Sequence, residues 1–229
     1  MKLFIDTGNT EHIREAVSWG IIDGVTCNPT HAAQAGIPPR ELYTEVCRLT
    51  DGPVSLETVA SDADGIVREG RILAAIADNA VVKIPVTRDG LKALRILASE
   101  GIRTNVTVTF SPLQALLAAK AGADYVSPFI GRLDAIGHIG MEVVEQTLHI
   151  FENYGFETQI ITASVRTPLH VLEAALAGSH VCTAPFDVLK QLYNHPLTDM
   201  GIKKFLDDWA TVPGKEELWR GAPSEAVHA

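Results

Sequence analysis

Short apolar runs alternate with amphipathic helical segments along nearly the whole chain. Eight such runs occur, over residues 3–6, 22–26, 54–57, 81–84, 103–108, 125–127, 159–163 and 181–183. A helical segment follows each run, although after the sixth run we expect a glycine-containing loop before the helix at residues 141–153. Two of the helical segments begin with a capping residue and a proline, Ser111-Pro112 and Thr167-Pro168. Alternation of this kind predicts a parallel sheet, and eight units in 229 residues predict a single (β/α)8, or TIM, barrel of the α/β class.

An open, doubly wound sheet is the alternative fold. No G-x-G-x-x-G motif follows the first run, and most runs end in a polar residue, as expected where strand ends surround the active site of a barrel. We therefore expect one barrel domain over residues 1–209. Residues 210–229 are polar and interrupted by glycine and proline, and we expect a loosely held C-terminal tail whose Trp219 contacts a neighbouring subunit.

The charge balance limits the possible partners. The chain has 19 basic and 28 acidic residues, a formal net charge of −9 at pH 7, which argues against nucleic acid or an anionic membrane as a partner. The N-terminus lacks the flanks of a signal peptide, and no apolar stretch approaches the length of a membrane span. Cys27, Cys47 and Cys182 lie far apart without a C-x-x-C motif, and as reduced thiols they predict a cytoplasmic protein.

Lys83 interrupts the fourth run, which otherwise has the composition of a fully buried strand. A lysine is rarely buried without a partner, because removing an ammonium group from water is costly. A buried lysine often becomes a neutral amine, which can attack a carbonyl carbon and form a Schiff base. We therefore interpret Lys83 as the nucleophile of a class I, Schiff-base active site on the fourth strand.

Two carboxylates end neighbouring runs. Glu57 ends the third run and would project towards Lys83, where a carboxyl group can relay protons through a water molecule. A structural ion pair with Lys83 is the other interpretation of Glu57. Asp6 ends the first run and could take a proton from a substrate hydroxyl, although an aspartate before Thr-Gly-Asn is also a good cap for the following turn.

Neutral and cationic groups at other strand ends suit a sugar phosphate. Asn28, Asn105 and Thr107 supply hydrogen-bonding groups for hydroxyls or for a catalytic water. Each alone could equally be a side chain that stabilises a loop, but their shared place at strand ends favours function. Arg132 follows the sixth run, and Ser164 and Arg166 follow the seventh, directly before the predicted helix start at Thr167-Pro168. Barrels often bind phosphate with the loops after their late strands, and guanidinium groups suit bidentate contact, so these residues predict a phosphate site. Arginines in surface ion pairs are the alternative.

No metal or other cofactor is expected. The eight histidines lack H-x-H or H-E-x-x-H spacing, and no cysteine pair has the spacing of metal ligands. A metal-dependent isomerase or hydrolase barrel remains a possible function class, as does a barrel that only binds sugar phosphates.

Five segments together make a specific match to a known family. They are Gly24-Val25-Thr26-Cys27-Asn28-Pro29, Val82-Lys83-Ile84-Pro85-Val86, Thr104-Asn105-Val106-Thr107, Tyr125-Val126-Ser127-Pro128-Phe129 with Gly131-Arg132, and His195-Pro196-Leu197-Thr198-Asp199. With them, the chain from Phe4 to Trp209 resembles the small transaldolase group, which also contains fructose-6-phosphate aldolases. The resemblance implies a ring-shaped homo-oligomer, a decamer.

The resemblance also implies roles for the site residues. Lys83 would form the Schiff base, Asp6 would act as acid and base at the cleaved bond, and Glu57 with Thr107 would hold the catalytic water. The remaining roles are binding of the dihydroxyacetone unit by Asn28, Asn105 and Ser127, and binding of phosphate by Arg132, Ser164 and Arg166.

Two positions separate the branches of this group. Aldolase members, which release free dihydroxyacetone, resemble a pattern with glutamine in place of Glu57 and tyrosine in place of Phe129. This chain has the transaldolase-like residue at both positions, so we expect transfer of dihydroxyacetone between a ketose phosphate and an aldose phosphate in the pentose phosphate pathway. Departures from the usual pattern are Cys27, Thr30, Thr109 and Thr167, none of which removes a catalytic group.

Overall fold

The computed structural model describes residues 1–220, and its parallel sheet closes on itself. The strands pair in sequence order, and the eighth pairs with the first. They are β1 (Lys2–Asp6), β2 (Gly24–Thr26), β3 (Val54–Glu57), β4 (Ala80–Pro85), β5 (Thr104–Thr109), β6 (Tyr125–Pro128), β7 (Gln159–Thr162) and β8 (Val181–Ala184). The predicted (β/α)8 barrel is confirmed, and the open doubly wound sheet is wrong.

Helices follow every strand. They are α1 (Thr10–Ser18), α2 (Pro29–Ala35), α3 (Pro39–Arg48), α4 (Ala63–Ala74), α5 (Arg88–Ser99), α6 (Pro112–Ala121), α7 (Ile130–Asp134), α8 (Met141–Tyr154), α9 (Pro168–Ala177), α10 (Phe186–Gln191) and α11 (Pro196–Ala210), with a 3-10 helix at Lys215–Trp219. Ser111 and Thr167 cap α6 and α9 as predicted, since each hydroxyl accepts a hydrogen bond from a first-turn N–H.

Two local expectations are wrong. Strand β2 begins at Gly24 rather than at residue 22, because the Asp23 carboxylate accepts the hydrogen bond of the Leu3 N–H at 2.8 Å and sheet pairing starts with Phe4 and Gly24. The segment after β6, expected to be a loop, contains the short helix α7.

A small apolar cluster fills the lower part of the barrel. It consists of Phe4, Val81, Tyr125, Ile161 and Val181. Alternate residues of a strand point to the same side, so the residue two positions after a cluster member also points into the barrel, nearer its C-terminal end. On β1, β4, β6 and β8 those residues are Asp6, Lys83, Ser127 and Thr183. The cluster thus forms the base of a polar chamber.

Gly24 is required beside this cluster. A Cβ atom at Gly24 would lie 2.8 Å from the Phe4 ring and 2.6 Å from the Pro53 carbonyl oxygen. Because Gly24 has no side chain, the Phe4 ring can occupy this space.

The chain divides after Gln191 into two compact units. The first contains all eight strands and the helices through α10. The second begins at Leu192, and its helix α11 exposes apolar side chains that include Leu197, Phe205 and Leu206. The expected boundary at residue 209 stays a prediction; Trp219 of the expected tail is exposed, and residues 221–229 lie outside the described part. None of the helices within residues 1–220 combines the length and apolar character needed to cross a bilayer.

Candidate active site

Lys83 lies on β4, with its side chain only 4% exposed. Its Nζ atom is 3.1 Å from Glu57 Oε2 and 3.4 Å from the backbone oxygen of Cys27, to which it donates. The register of the sheet explains the pair, because Glu57 on β3 lies directly opposite Lys83. The position of the Glu57 carboxylate fits both interpretations of this residue, as a proton relay and as one member of a buried ion pair.

Asp6 lies at the end of β1 and accepts a hydrogen bond from a buried threonine. The Thr26 hydroxyl donates to Asp6 Oδ1 at 2.7 Å, and it lies 2.7 Å from the hydroxyl of Thr183. The two threonines form a chain from β8 through β2 that orients the carboxylate on β1. Asn9, rather than Asp6, caps α1 by accepting from the N–H groups of Glu11 and His12. The interpretation of Asp6 as a helix cap is therefore wrong.

A polar cavity of about 260 Å³ opens at the C-terminal ends of the strands. Eight of the eleven residues predicted for the site line it: Asp6, Asn28, Lys83, Ser127, Phe129, Arg132, Ser164 and Arg166. Glu57, Asn105 and Thr107 do not line the cavity itself. The first two contact residues that do line it, whereas Thr107 is fully buried on β5.

Asn105 is the centre of a buried hydrogen-bond network on three strands. Its amide nitrogen donates to Ser55 Oγ at 3.0 Å, and its amide oxygen accepts from Ser127 Oγ at 2.7 Å. Both partners are almost completely buried. The network fixes the amide orientation, which leaves the Ser127 oxygen able to accept a further hydrogen bond at the cavity wall.

Strand β5 is irregular where it reaches the chamber. Val108 has a φ of 58°, which is strained for a β-branched residue, and the pairing with β6 shifts between Val106 and Thr109. The hydroxyls of Thr107 and Thr109 are buried and have no hydrogen-bond partner among the described residues. Buried hydroxyls normally have a partner, so both are suited to a water molecule or a ligand.

Two arginines lie at the cavity opening without carboxylate partners in residues 1–220. The Arg132 guanidinium lies 5.2 Å from the centre of the Phe129 ring, and Arg166 follows Ser164, whose buried hydroxyl has no partner in the same residues. Ser164 has a φ of 59°, a strained conformation of the kind found at functional sites. Because neither arginine pairs with a carboxylate in this part of the chain, their interpretation as members of surface ion pairs is not supported there.

Gly131 lies where the two segments that carry the arginines meet. A Cβ atom at this position would lie 2.2 Å from the Ser164 backbone oxygen and 2.8 Å from Arg166 Cγ. Helix α7 therefore packs directly on the loop after β7, because its Gly131 has no side chain.

Sequence reasoning assigned no site role to five polar cavity residues, namely Thr26, Thr30, His31, Gln34 and Thr183. Thr26 ends the second run and Thr183 ends the eighth, so the pattern of polar ends could have identified both. His31 and Gln34 lie on α2, which starts directly after Asn28 and returns towards the chamber, and nothing in the pattern of strand ends points to them.

A larger cavity of about 580 Å³ lies beside the barrel between α2, α3 and α4. Its lining is mostly apolar and includes Ile37, Ile72 and Leu73. It has few polar groups, and one of them, Glu69, already accepts hydrogen bonds from two backbone N–H groups. Glu57 also belongs to this lining, but Lys83 and Asp6, the groups with which it is predicted to act, line the smaller, polar cavity, which is therefore the candidate site.

The thiol groups are not placed for chemistry. Burial raises the pKa of Cys27 and of Cys182 to about 12, so both thiols stay protonated at neutral pH. Cys27 packs in the apolar core, and it is its backbone oxygen that contacts Lys83. Within residues 1–220, no group of three or more His, Cys, Asp or Glu side chains is arranged to hold a metal ion.

Comparison with known proteins agrees with this geometry. The family model described as transaldolase/fructose-6-phosphate aldolase matches residues 3–216. The chain belongs to this family. A protein of Aquifex aeolicus named a probable transaldolase is 60% identical over 94% of this chain and 99% of its own length. Probable transaldolases of Hydrogenobaculum sp. and Herpetosiphon aurantiacus are 59% and 58% identical, over 94% and 93% of this chain and 99% and 96% of their own lengths.

Membership of the transaldolase/fructose-6-phosphate aldolase family confirms the resemblance found in the sequence. The family description names two enzymes, a transaldolase and a fructose-6-phosphate aldolase, so these are the two activities to compare. Glu57 and Phe129, the residues expected to separate these reactions, both contact Lys83: Glu57 through the ion pair, and Phe129 with its ring centre 5.9 Å from Nζ.

Proposed function

We propose that the protein is a transaldolase that moves a dihydroxyacetone unit from a ketose phosphate to an aldose phosphate through a Schiff base on Lys83. The donor would be sedoheptulose 7-phosphate or fructose 6-phosphate, and the acceptor glyceraldehyde 3-phosphate or erythrose 4-phosphate. The observation that carries the proposal is the buried Lys83–Glu57 pair, 3.1 Å apart, in a chamber that also holds Asp6.

The Lys83–Glu57 pair would start the reaction. Transfer of a proton from Lys83 Nζ to Glu57 Oε2 gives a neutral amine, which attacks C2 of the ketose. Glu57 then returns the proton as the carbinolamine loses water, with Thr107 holding that water. The partnerless Thr107 hydroxyl supports this role, because it is a buried group in need of a hydrogen bond.

Asp6 would act at the bond that breaks. Its carboxylate takes the proton of the C4 hydroxyl, the C3–C4 bond breaks, and its electrons move to the iminium group to form an enamine. An aldose phosphate leaves, and the dihydroxyacetone unit stays attached to Lys83 until it adds to an acceptor aldehyde. Hydrolysis of the resulting Schiff base frees the lysine, and no cofactor is needed.

The other predicted residues would hold the substrate. Asn28, Asn105 and Ser127 would bind the hydroxyls of the dihydroxyacetone unit close to Lys83. Arg132, Ser164 and Arg166 would bind the phosphate at the cavity opening, and their lack of carboxylate partners among residues 1–220 supports this role. Attraction between unpaired guanidinium groups and a dianion is strong, even in a chain whose net charge is −9.

A fructose-6-phosphate aldolase is the second candidate, since the family includes that activity. It would release dihydroxyacetone without an acceptor. Glu57 and Phe129 favour the transferase, because aldolase members resemble a pattern with glutamine and tyrosine at these positions.

Mass spectrometry after borohydride reduction tests the proposal. The protein is incubated with fructose 6-phosphate, with and without erythrose 4-phosphate, and free dihydroxyacetone is assayed alongside. A reduced dihydroxyacetone adduct on Lys83, with sedoheptulose 7-phosphate formed only when the acceptor is present, is the expected result. Steady release of dihydroxyacetone without an acceptor would make the protein an aldolase. The absence of any adduct would favour a non-covalent binder or, if a chelator abolishes turnover, a metal-dependent enzyme.

We also propose that the protein is a homo-oligomer in the cytoplasm. Several large apolar side chains of α11 are exposed in the single chain, Leu197, Met200, Ile202, Phe205 and Leu206. Exposed apolar groups so close together usually mark an interaction surface. The three cysteines are buried and free, as is usual in a reducing compartment. Light scattering measures the assembly, and a monomer would contradict this part of the proposal.

A further inference from the structure

His31 lies in the first turn of α2, directly beside the catalytic carboxylate. Its side chain is 17% exposed and lines the same cavity as Lys83 and Asp6. The Nδ1 atom is buried and has no hydrogen-bond partner within residues 1–220. A buried ring nitrogen without a partner at a substrate cavity is suited to a hydrogen bond with the substrate.

The hydrogen bonds of Asn28 identify the nitrogen of His31 that carries the proton. Asn28 Oδ1 accepts from the His31 backbone N–H at 3.1 Å, so the amide nitrogen Nδ2 points to the imidazole. Nδ2 is a donor and lies 3.5 Å from His31 Nε2, which must then accept. The neutral ring therefore carries its proton on Nδ1, the atom that has no partner.

The imidazole is neutral near pH 7. Burial lowers the pKa of His31, as does the charge of Lys83, against the opposing effect of the Asp6 and Glu57 carboxylates. These are the charged groups that face the ring from β1, β3 and β4. An imidazolium ion would form an ion pair with Asp6. The neutral ring does not, so its one N–H group can donate to an oxygen that gains negative charge.

The gap between His31 and Asp6 fits one oxygen atom. His31 Nδ1 lies 4.0 Å from Asp6 Oδ1, too far for a direct hydrogen bond. An oxygen about 2.8 Å from each atom would make an angle of roughly 90° between them, which suits a hydroxyl that accepts one bond and donates another. We propose that His31 is a catalytic residue whose Nδ1–H binds the substrate oxygen that Asp6 deprotonates.

This inference rests on the proposed transaldolase reaction and assigns it a further group. In the cleavage direction, the C4 hydroxyl donates to Asp6 and accepts from His31. Its proton passes to the carboxylate, the O–H electron pair becomes the second bond of the aldehyde carbonyl, and the C3–C4 electrons pass to the enamine. Negative charge develops on the oxygen during this step, and the Nδ1–H stabilises it. In the transfer direction, the same donor polarises the carbonyl of the acceptor aldehyde.

Two substitutions of His31 test the role of the donor. His31→Leu removes it, and His31→Asn restores an N–H group at a similar distance from the backbone. We expect His31→Leu to lower the rate of C3–C4 cleavage about 10- to 100-fold, the range expected when a hydrogen bond to a developing charge is lost. His31→Asn should recover most of that loss. His149→Leu, at an exposed histidine of α8, is the matched control and should behave as the unaltered protein does.

The readout separates this inference from the proposed function. Trapping of fructose 6-phosphate by borohydride measures Schiff-base formation before cleavage, and release of glyceraldehyde 3-phosphate measures cleavage. Normal trapping with slow cleavage in His31→Leu, and faster cleavage in His31→Asn, would support the assignment. Equal slowing of both steps, or no recovery in His31→Asn, would show that His31 only maintains the structure. Failure of the unaltered protein to be trapped at all would instead overturn the Schiff-base reaction.

Discussion

The two ends of the barrel differ in how their polar groups are hydrogen-bonded. At the N-terminal ends of the strands, which we call the floor, Asp23, Asn79 and Asp124 each bond to backbone groups of a neighbouring strand or loop. At the C-terminal ends, which we call the mouth, the ring nitrogen of His31 and the hydroxyls of Thr107, Thr109 and Ser164 are buried without partners in residues 1–220.

This difference separates stability from function within one sheet. Buried polar groups that are fully bonded stabilise the fold, and the loss of one partner costs about 1–3 kcal/mol. Buried groups left without a partner lower the stability of the fold, and a protein tolerates them where a substrate or water completes the bonds. Substitutions at the floor should therefore alter the free energy of unfolding, and substitutions at the mouth should alter turnover.

The largest expected effect is at Lys83. Lys83→Met keeps the length of the side chain but removes the nucleophile, so turnover should fall at least about 1,000-fold and borohydride trapping should disappear. The urea midpoint is measured alongside, so that a loss of folding is separated from the loss of the nucleophile. Lys120→Met, at an exposed lysine of α6, should leave turnover and trapping intact. Substantial turnover in Lys83→Met would refute the assignment of the mouth.

Asn79 provides the opposite test. Its amide nitrogen lies 2.8–3.1 Å from the backbone oxygens of Cys47, Thr50 and Gly52, in the segment before β3. Asn79→Ala should lower the free energy of unfolding by about 2 kcal/mol, because these oxygens lose their donor, and leave turnover per folded molecule unchanged. Urea unfolding and steady-state assays measure both, with the exposed Asn153→Ala as control. A loss of turnover without a loss of stability would contradict the division between the two ends.

Thr26 sharpens the comparison because it is a fully bonded residue at the mouth. Thr26→Val keeps the shape but removes the hydroxyl that orients Asp6, so turnover should fall about 10-fold, the equivalent of one hydrogen bond. Thr162→Val is the matched control, since that hydroxyl bonds to Ser179 and not to a cavity residue. It should lose about 1 kcal/mol of stability and no turnover. Equal turnover in the two variants would show that Asp6 does not need this donor.

The smallest effect concerns pH. Burial lowers the pKa of His31 below its ordinary value of 6.5, so the unfolded chain binds a proton first as the pH falls. Stability from this group is therefore constant above pH 6.5 and decreases as the pH falls from there towards the lowered pKa. The urea midpoint should drop between pH 7.5 and pH 5.5, and less so in His31→Asn. An identical drop in both proteins would show that His31 is not the source.

The architecture could be predicted from the sequence because alternation of strand and helix is a long-range pattern. Local boundaries were harder, since they depend on single hydrogen bonds such as that of Asp23 with the Leu3 N–H, which makes the pairing of β2 begin only at Gly24. Helix α7 was missed because its glycine, Gly131, is a poor helix former. Its packing against Ser164 explains why the glycine is there, and that contact lies between segments far apart in the chain.

Most of the candidate site could be found because its residues end strands, and a parallel barrel brings those ends together. Lys83, Asp6 and Ser127 follow from this rule, and the structure places them around one cavity. His31 could not be found in this way, because its position depends on how α2 leaves β2. His31 belongs to a predicted helical segment, and it becomes a cavity residue only because the first turn of α2 lies against the chamber.

Gly131 has a consequence for how this protein can change its substrates. Because α7 and the loop after β7 touch through a residue without a side chain, the backbone segments that carry Arg132 and Arg166 are packed directly on each other. If these arginines bind phosphate as proposed, a larger residue at position 131 would push the two segments apart and weaken that binding. On the opposite wall, His31 of α2 is likewise packed on a glycine, since a Cβ atom at Gly8 would lie 3.1 Å from the His31 backbone oxygen, but Thr30 and Gln34 are not part of that contact. Change at Thr30 or Gln34 should therefore accommodate a new acceptor aldehyde more readily than change at Gly131.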